Sequence, residues 1–194
     1  MDNVLALLRD SKAMLEGHFI LSSGRHSDKY FQCARLMQHP AMAELALIDV
    51  AKKINGDIRA HMLEVDAVVG PAMGGIIVAY ELGRQLGVPA LFTERDENGA
   101  MALRRGFELR PGQKIMIAED VVTTGKSYGE CAALLESLGA EVTALACIID
   151  RREGGEVPWP FYPACKVAVE SWEAGDCKLC REGTPAVKPG SRKM

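Results

Sequence analysis

The sequence lacks a hydrophobic run long enough to cross a membrane. A transmembrane helix needs about 20 apolar residues in succession. The longest uncharged stretch near the middle, Ala67 to Tyr80, is interrupted by one proline and three glycines. The N-terminal apolar stretch, Val4 to Leu8, is flanked by charged residues and is shorter than the core of a secretory signal. We therefore expect a cytoplasmic protein without a membrane partner.

The sequence also lacks an excess of charge of either sign. Lysine and arginine number 23 and aspartate and glutamate 26, so the formal net charge is −3. Nucleic-acid binding that is independent of sequence depends on basic side chains that neutralise phosphates. We therefore expect no nucleic-acid partner. The length of 194 residues, 48% of them hydrophobic, is typical of one domain with a full core.

The cysteines do not form the pattern of a disulfide framework. The six are scattered, and we expect reduced thiols. Cys177 and Cys180 form the one CxxC pair, and Cys165 could add a third ligand to a metal site. A structural zinc site needs four ligands, and no second CxxC or neighbouring histidine completes the set, so no metal ligand is assigned. Three interpretations of the pair stay open: unliganded structural cysteines, a metal shared between subunits, or a redox pair.

The first part of the chain is predicted to be helical and irregular. Apolar residues at helical spacing between Val4 and Leu15 predict an amphipathic helix. The segment His18 to Gln38 is rich in Gly, Ser, His and Tyr, which predicts an irregular stretch. Pro40 is expected to begin a second helix that ends near Asn55 and Gly56. The tail from residue 177 onwards is expected to be irregular.

From residue 67 onwards, short apolar runs alternate with segments of helical periodicity. The predicted strands are Ala67–Val69, Pro89–Thr93, Ile115–Ala118 and Ala144–Ile149, and the predicted helices are Ile76–Leu86 and Lys126–Leu138. This alternation, with nearly continuous apolar strands, predicts an α/β fold with a parallel sheet covered on both faces. Ligands bind such sheets at the carboxyl ends of the strands, so the loops that follow these strands are the candidate functional loops.

One of these loops carries two acids and a hydroxyl-rich turn. Glu119 and Asp120 follow the third predicted strand, and a loop of Thr, Thr, Gly, Lys and Ser leads into a helix. Free backbone N–H groups and hydroxyls at a helix N-terminus bind phosphate. The two carboxylates are suited to the hydroxyls of a ribose or to the water shell of a metal. A Walker A loop is excluded, because Asp120 stands where that motif needs a glycine, five residues before Gly125.

The segment Glu119 to Ser127 resembles the phosphoribosyl-pyrophosphate motif of type I phosphoribosyltransferases: two acids, two hydrophobic residues, Thr, a small residue, Gly and a hydroxyl residue. Three further segments resemble the orotate phosphoribosyltransferase family. They are Gly17 to Ser27, Gly70 to Gly75, and the pair Asp150-Arg151 after the last predicted strand. The four motifs occur in the order in which the family has them.

The resemblance implies a fold and a reaction. The fold is the type I phosphoribosyltransferase fold, with a central parallel sheet flanked by helices and an N-terminal hood. Residues 1–60 would form the N-terminal helices and hood, 61–170 the α/β core, and 171–194 a CxxC tail. The reaction joins 5-phosphoribosyl 1-pyrophosphate to orotate, gives orotidine 5′-monophosphate and pyrophosphate in pyrimidine biosynthesis, requires Mg²⁺ and takes place in a homodimer. The alternatives are a transferase for another base and a non-catalytic regulator that senses phosphoribosyl pyrophosphate.

The resemblance also assigns residues. Asp120 and Arg95 would be catalytic, and the acids would hold the ribose hydroxyls. Residues assigned to the phosphoribosyl donor are Arg95, Glu119, Asp120, Val121, Val122, Thr123, Thr124, Gly125, Lys126 and Ser127. Those assigned to orotate are Thr123, Arg151, Tyr30 and Phe31. An arginine suits orotate independently, because its guanidinium can donate two parallel hydrogen bonds to a carboxylate. His26 could touch a substrate phosphate or be a solvated histidine.

The segment Glu94 to Phe107 is predicted to be a mobile lid, because it is polar, contains a glycine and follows a strand. It has no lysine or histidine, whereas the corresponding loop of many family members has several. Asp96 stands where a lysine is common, and Ser22 and Gly74 also replace lysines of the family pattern. The cations that could compensate are Lys29, Lys126, Arg104 and Arg105.

Overall fold

The computed structural model describes residues 2–21 and 23–189. Ser22 lies outside these residues, as does the end of the basic tail with Arg192 and Lys193. The strands are β1 (Met14–Ile20), β2 (His26–Phe31), β3 (Ala67–Pro71), β4 (Ala90–Arg95), β5 (Met101–Ala102), β6 (Lys114–Val122), β7 (Glu141–Asp150), β8 (Phe161–Lys166) and β9 (Ser171–Trp172). The α-helices are α1 (Asp2–Asp10), α2 (Ala34–Met37), α3 (Pro40–Arg59), α4 (Gly74–Leu86), α5 (Lys126–Ser137) and α6 (Lys178–Arg181). None of the helices in this part of the chain is long and apolar enough to cross a membrane.

The larger sheet has six strands in the order β5-β4-β3-β6-β7-β8. All its neighbouring strands are parallel except β4 and β5, which form an antiparallel hairpin. The predicted α/β fold with a mostly parallel sheet is therefore confirmed. All four predicted strands and both helices of this region are present, and β5 and β8 are additions that the apolar pattern did not indicate.

The sheet is covered on both faces because its central strands are apolar on both sides. Met116 packs into one cluster with α1, α3 and α4, whereas its neighbour Ile117 packs into a second cluster with α5. Both side chains are fully buried. This double burial explains why the central strands are continuous apolar runs rather than alternating ones, and it leaves the strand ends as the place for polar groups.

A second, three-stranded antiparallel sheet has the order β1-β2-β9 and brings the two ends of the chain together. The prediction of an irregular segment over His18–Gln38 is therefore wrong. The strands were missed because they contain polar residues and are only partly buried, so no continuous apolar run marks them. His26 of β2 pairs with Trp172 of β9, so the register joins positions far apart in sequence.

Two predicted helix ends also differ. The first helix stops at Asp10 and does not reach Met14, because Lys12 adopts a positive φ of 55° and the chain turns into β1. The second helix continues through Gly56 to Arg59. A glycine inside a helix costs only about 1 kcal/mol, and the packing of Ile54 and Ile58 against the core offsets it. In the tail, predicted to be irregular, α6 forms one short helical turn.

Candidate active site

Two adjoining cavities open where β6 and β7 end, at the edge of the sheet that the sequence predicted. The larger, of about 960 Å³, is lined by residues that include Tyr30, Thr123, Thr124 and Arg151. The smaller, of about 260 Å³, is lined by Arg95 and by residues 119 and 121–128. The loop residues Thr123 and Thr124 line both. One ligand with two parts can therefore extend across this loop from one cavity into the other.

The acid pair lies at the carboxyl end of β6, where the strand leaves the core. Glu119 is only 6% exposed, and burial raises its pKa to about 7, although a hydrogen bond with Ser127 works in the opposite direction. Burial also raises the pKa of Asp120, whose Oδ1 accepts a hydrogen bond from the Val121 amide at 2.8 Å. Two carboxyl groups held in poorly solvated surroundings are strong acceptors for a hydroxyl that enters the site.

The loop after the acids is shaped as an anion site. Gly125 immediately precedes the first residue of α5. Its φ of +82° lies in the left-handed region, which favours glycine. A Cβ at this position would also lie 2.7 Å from the Tyr128 hydroxyl. Lys126, Ser127 and Tyr128, the first residues of α5, line the smaller cavity together with Thr124. Amides and hydroxyls at the start of a twelve-residue helix are arranged to hold a phosphate.

Arg151 carries a buried donor that has no partner among the described residues. Its Nε is shielded from solvent, and no acceptor among the described residues reaches it. Burial lowers the pKa of the guanidinium, which lies 5.5 Å from the ring centre of Phe31. The backbone amide of Arg151 donates to the Val122 carbonyl at 2.8 Å, which fixes the residue beside the hydroxyl loop. An unpartnered guanidinium donor in a cavity wall favours an anionic ligand.

The neighbouring Arg152 is bound differently. It donates to both carboxylate oxygens of Asp150, at 2.9 and 3.0 Å. Burial alone would raise the pKa of Asp150, but these hydrogen bonds outweigh it and the pKa lies below its usual value. Arg152 therefore stabilises the end of β7 through Asp150. Of the two arginines, Arg151 is the one that is available to a ligand.

The aromatic residues assigned to orotate take separate positions. Tyr30 lines the larger cavity. Phe31 is buried, and its ring lies beneath Arg151 rather than in the cavity wall. The Phe31 side chain can therefore influence a ligand only by its contact with Arg151. The Phe31 backbone is next to that of Tyr30.

The predicted lid is largely an ordered hairpin. β4 continues to Arg95, and β5 returns beside it. Asp96 Oδ1 accepts hydrogen bonds from the amides of Asn98 and Ala100, both at 2.9 Å, and so closes the hairpin turn. Arg95 is bound to Glu130 and to the Gly99 carbonyl at the rim of the smaller cavity.

The cations that could compensate for the missing lysines are not equally placed. Lys126 lines the smaller cavity and is 3.9 Å from Glu130, with its side chain 77% exposed. Arg105 is bound to Glu94, at 2.9 and 3.0 Å, outside both cavities. Lys29 is 3.0 Å from Asp28. Lys126 and Arg95 are the basic residues that line the smaller cavity.

His26 fits neither sequence interpretation. It is 7% exposed and lines neither cavity, and its Nδ1 lies 2.7 Å from His18 Nε2. Cys177 and Cys180 lie beside the same two rings. Sequence reasoning missed this cluster, because the histidines lie more than 150 residues before the cysteines and only the pairing of β2 with β9 brings them together.

Comparison with known proteins connects this geometry to a family. The model of the phosphoribosyl transferase domain family matches residues 34–163. The orotate phosphoribosyltransferase of Carboxydothermus hydrogenoformans is 52% identical over 189 residues, which cover 96% of this chain and 96% of that protein. The crystal structure of orotate phosphoribosyltransferase from Aeropyrum pernix has a TM-score of 0.69 at 26% identity, over 84% of this chain and 93% of that chain.

An adenine phosphoribosyltransferase from Thermoanaerobacter pseudethanolicus shares the fold, with a TM-score of 0.60 at 17% identity over 72% of this chain and 88% of that chain. The fold alone therefore accommodates more than one base. The identity and coverage of the orotate relative decide the narrower assignment. This chain belongs to the orotate phosphoribosyltransferase family of the type I phosphoribosyltransferases.

Proposed function

We propose that this chain transfers the phosphoribosyl group of 5-phosphoribosyl 1-pyrophosphate to orotate, giving orotidine 5′-monophosphate and pyrophosphate. A ring nitrogen of orotate forms the bond to C1 of the ribose as the bond from C1 to pyrophosphate breaks, and the nitrogen's proton leaves. The centre at C1 resembles the oxocarbenium ion of glycoside hydrolysis. The protein supplies binding, orientation and charge stabilisation, and no protein nucleophile is needed.

The observation that carries the choice of orotate is the position of Arg151 in the wall of the larger cavity, with a buried Nε that has no acceptor among the described residues. Orotate is a pyrimidine with a carboxylate, and a guanidinium can donate two parallel hydrogen bonds to that group. Thr123 on the neighbouring loop and Tyr30 offer further polar contacts in the same cavity. An uncharged base would leave the arginine donor buried without an acceptor, which is costly.

The donor's sugar phosphate is assigned to the smaller cavity. The 5′-phosphate is held by the amides and hydroxyls of residues 124–127, and the ribose hydroxyls donate to Glu119 and Asp120. Val121 and Val122 form the wall between the acids and the phosphate loop. This placement directs C1 towards the larger cavity, because Thr123 and Thr124 border both spaces.

Mg²⁺ fits the residues at this site. It prefers oxygen ligands, retains several waters, and is usually held through carboxylates and substrate phosphates. The carboxylates of Glu119 and Asp120 would contact its water shell while the donor's pyrophosphate supplies direct ligands. When bound, the ion offsets negative charge on the leaving pyrophosphate.

The hairpin over residues 94–107 is assigned the role of the lid. Arg95, at its base, would move from Glu130 to the pyrophosphate when the lid closes and excludes water. Two further parts of the proposal rest on the resemblance alone. They are a homodimer, in which the lid reaches the partner's site, and a location in the cytoplasm.

The test is pyrophosphate release with Mg²⁺, the phosphoribosyl donor and one base at a time: orotate, uracil or adenine. Uracil is the matched control, because it lacks only the carboxylate. We expect turnover with orotate and kcat/KM lower by roughly 100-fold with uracil, the loss of a charged hydrogen-bonded pair. Preferential use of adenine would assign another base, and donor binding without pyrophosphate release for any base would indicate a sensor. Either result contradicts the proposal.

A further inference from the structure

A second polar cluster lies outside the two cavities, where the ends of the chain meet. His18 comes from β1 and His26 begins β2, while Cys177 immediately precedes the short helix α6 and Cys180 lies within it. One nitrogen or sulfur atom from each residue lies within 4.8 Å of the corresponding atoms of the other three. His18, His26 and Cys177 are 3%, 7% and 0% exposed. The cluster is therefore closed to solvent except at Cys180.

The spacing of nitrogen and sulfur atoms matches a tetrahedral metal site. Zinc bonds of about 2.05 Å to nitrogen and about 2.3 Å to sulfur place a nitrogen and a sulfur about 3.6 Å apart. Cys177 Sγ is 3.4 Å from His18 Nε2. Cys180 Sγ is 3.7 Å from His18 Nε2 and 3.4 Å from His26 Nδ1. The two ring nitrogens are 2.7 Å apart, so small ring rotations that separate them by about 0.6 Å complete the tetrahedron.

The other nitrogen of His18 is already oriented for metal binding. Its Nδ1 is 2.7 Å from the carbonyl oxygen of Thr184, to which it donates as Nδ1–H. The lone pair of the neutral ring is then on Nε2, which faces the two sulfurs. Histidine ligands of metals generally donate their second ring N–H to a carbonyl or carboxylate, which fixes the tautomer and the ring orientation.

From this geometry we propose that His18, His26, Cys177 and Cys180 bind one zinc ion per chain. Two imidazoles and two thiolates in a tetrahedron select zinc among the common divalent metals. Two thiolates also neutralise the charge of Zn²⁺, which suits a buried site. All four positions are occupied by protein ligands, so the ion is structural rather than catalytic. This inference is independent of the proposed function.

The zinc ion would hold one wall of the larger cavity. It joins β1 and β2 to a segment about 160 residues further along the chain. The same segment continues to Val187, whose amide donates to the His18 carbonyl and whose carbonyl accepts from the Ile20 amide, both at 2.8 Å. The next residues, 188 and 189, line the larger cavity. Metal removal should therefore loosen the cavity wall as well as lower stability.

The first experiment measures metal content by mass spectrometry in full-length protein that has been purified without chelator from zinc-supplemented cells. We expect one zinc per chain, and its loss in Cys177→Ser and Cys180→Ser. The matched controls are Cys165→Ser, in which the hydroxyl can replace the thiol's 3.4 Å contact with the Ile148 carbonyl, and His61→Asn, which keeps a residue that tolerates the positive φ of 55°. Both controls should retain the metal.

A second measurement covers the case in which the cysteine variants do not fold. Metal-stripped wild-type protein is titrated with Co²⁺, which should bind one ion per chain with thiolate charge-transfer and tetrahedral d–d absorption, and Zn²⁺ should displace it. The thermal midpoint should rise when zinc is restored. Wild-type protein without zinc and without cobalt binding overturns the proposal, as does full zinc retention in both cysteine variants. Four rather than six free thiols in denatured, unreduced protein would indicate a Cys177–Cys180 disulfide and also overturn it.

Discussion

Gly74, the first residue of α4, lies directly against the carboxylate of Asp120. A Cβ built on Gly74 would lie 2.4 Å from Asp120 Cγ and 2.5 Å from both carboxylate oxygens. The family pattern has a lysine where this chain has Gly74. Because glycine has no side chain, the Asp120 carboxylate can occupy the space beside it. The loop after β3 and the end of β6 are therefore fitted to each other at Gly74 and Asp120.

Gly74→Ala should displace the Asp120 carboxylate while the chain still folds. We expect the KM for the phosphoribosyl donor to rise by about 10-fold or more, the cost of a misplaced catalytic group. Steady-state kinetics with circular dichroism measures both effects. The matched control is Gly129→Ala in α5, where a Cβ meets nothing within 4 Å, and it should keep full activity and gain about 1 kcal/mol of stability. Unchanged donor KM in Gly74→Ala would contradict the role of this contact.

Asp120→Asn keeps the size of the side chain and removes its charge. Donor kcat/KM should fall by about 100-fold, the loss of a charged hydrogen-bond acceptor for the ribose hydroxyls, while the thermal midpoint changes little or rises, since burial disfavours the carboxylate. Kinetics and thermal unfolding are measured on the same preparation. Parallel losses of turnover and stability would make Asp120 a structural residue.

Arg151→Ala should impair orotate binding, whereas Arg152→Ala should lower the stability of the fold. The first removes the unpartnered donor and should raise the KM for orotate by about 10- to 100-fold, leaving donor binding unchanged. The second leaves the buried Asp150 unpaired and should cost about 3 kcal/mol of stability. Orotate KM and chemical denaturation are measured for both variants. A larger orotate defect in Arg152→Ala would reverse the assignment of the two arginines.

Glu119 should make the free protein less stable as the pH rises. Its pKa is about 7 in the folded chain against 4.5 as the ordinary value, so the folded state binds more protons between these values. Stability is then highest below about pH 4.5 and declines until about pH 7, by up to about 3 kcal/mol for this group. Denaturant melts at pH 5 and pH 8 measure the decline.

Glu119→Gln should reduce that decline and be more stable than the wild type at pH 8, although it binds the donor poorly. Glu136→Gln, an exposed residue of α5, is the control and should follow the wild-type pH profile. If Glu119→Gln and the wild type lose stability equally between the two pH values, the buried carboxyl is not the cause.

The strand–loop–helix unit from β6 to α5 could be predicted because its information is local. Apolar residues buried on both faces define the strand, and the acids, Gly125 and the hydroxyls follow in a fixed order. The placement of Arg151 beside this loop follows from the parallel pairing of β6 with β7. The pattern predicted a parallel sheet but not the order of its strands. The unpartnered state of the Arg151 Nε became visible only in the folded chain.

The three-stranded sheet and its histidine–cysteine cluster could not be predicted in the same way. β1 and β2 have exposed and partly exposed positions on both faces, so no apolar alternation marks them. Their stability comes from pairing with each other and with β9, a contact between distant parts of the sequence. Only that pairing brings His26 to the CxxC pair, and no spacing rule covers it.

We propose that the acid pair and hydroxyl loop after β6 bind the phosphoribosyl donor. Isothermal titration calorimetry of the wild type with 5-phosphoribosyl 1-pyrophosphate and Mg²⁺ tests it directly, with Asp120→Asn and Gly129→Ala titrated alongside. We predict one donor per chain for the wild type and for Gly129→Ala, and binding weakened by about 10-fold or more in Asp120→Asn. If a folded wild-type protein releases no heat with the donor, and the donor does not compete with pyrophosphate for binding, then the acid pair and hydroxyl loop do not bind the donor.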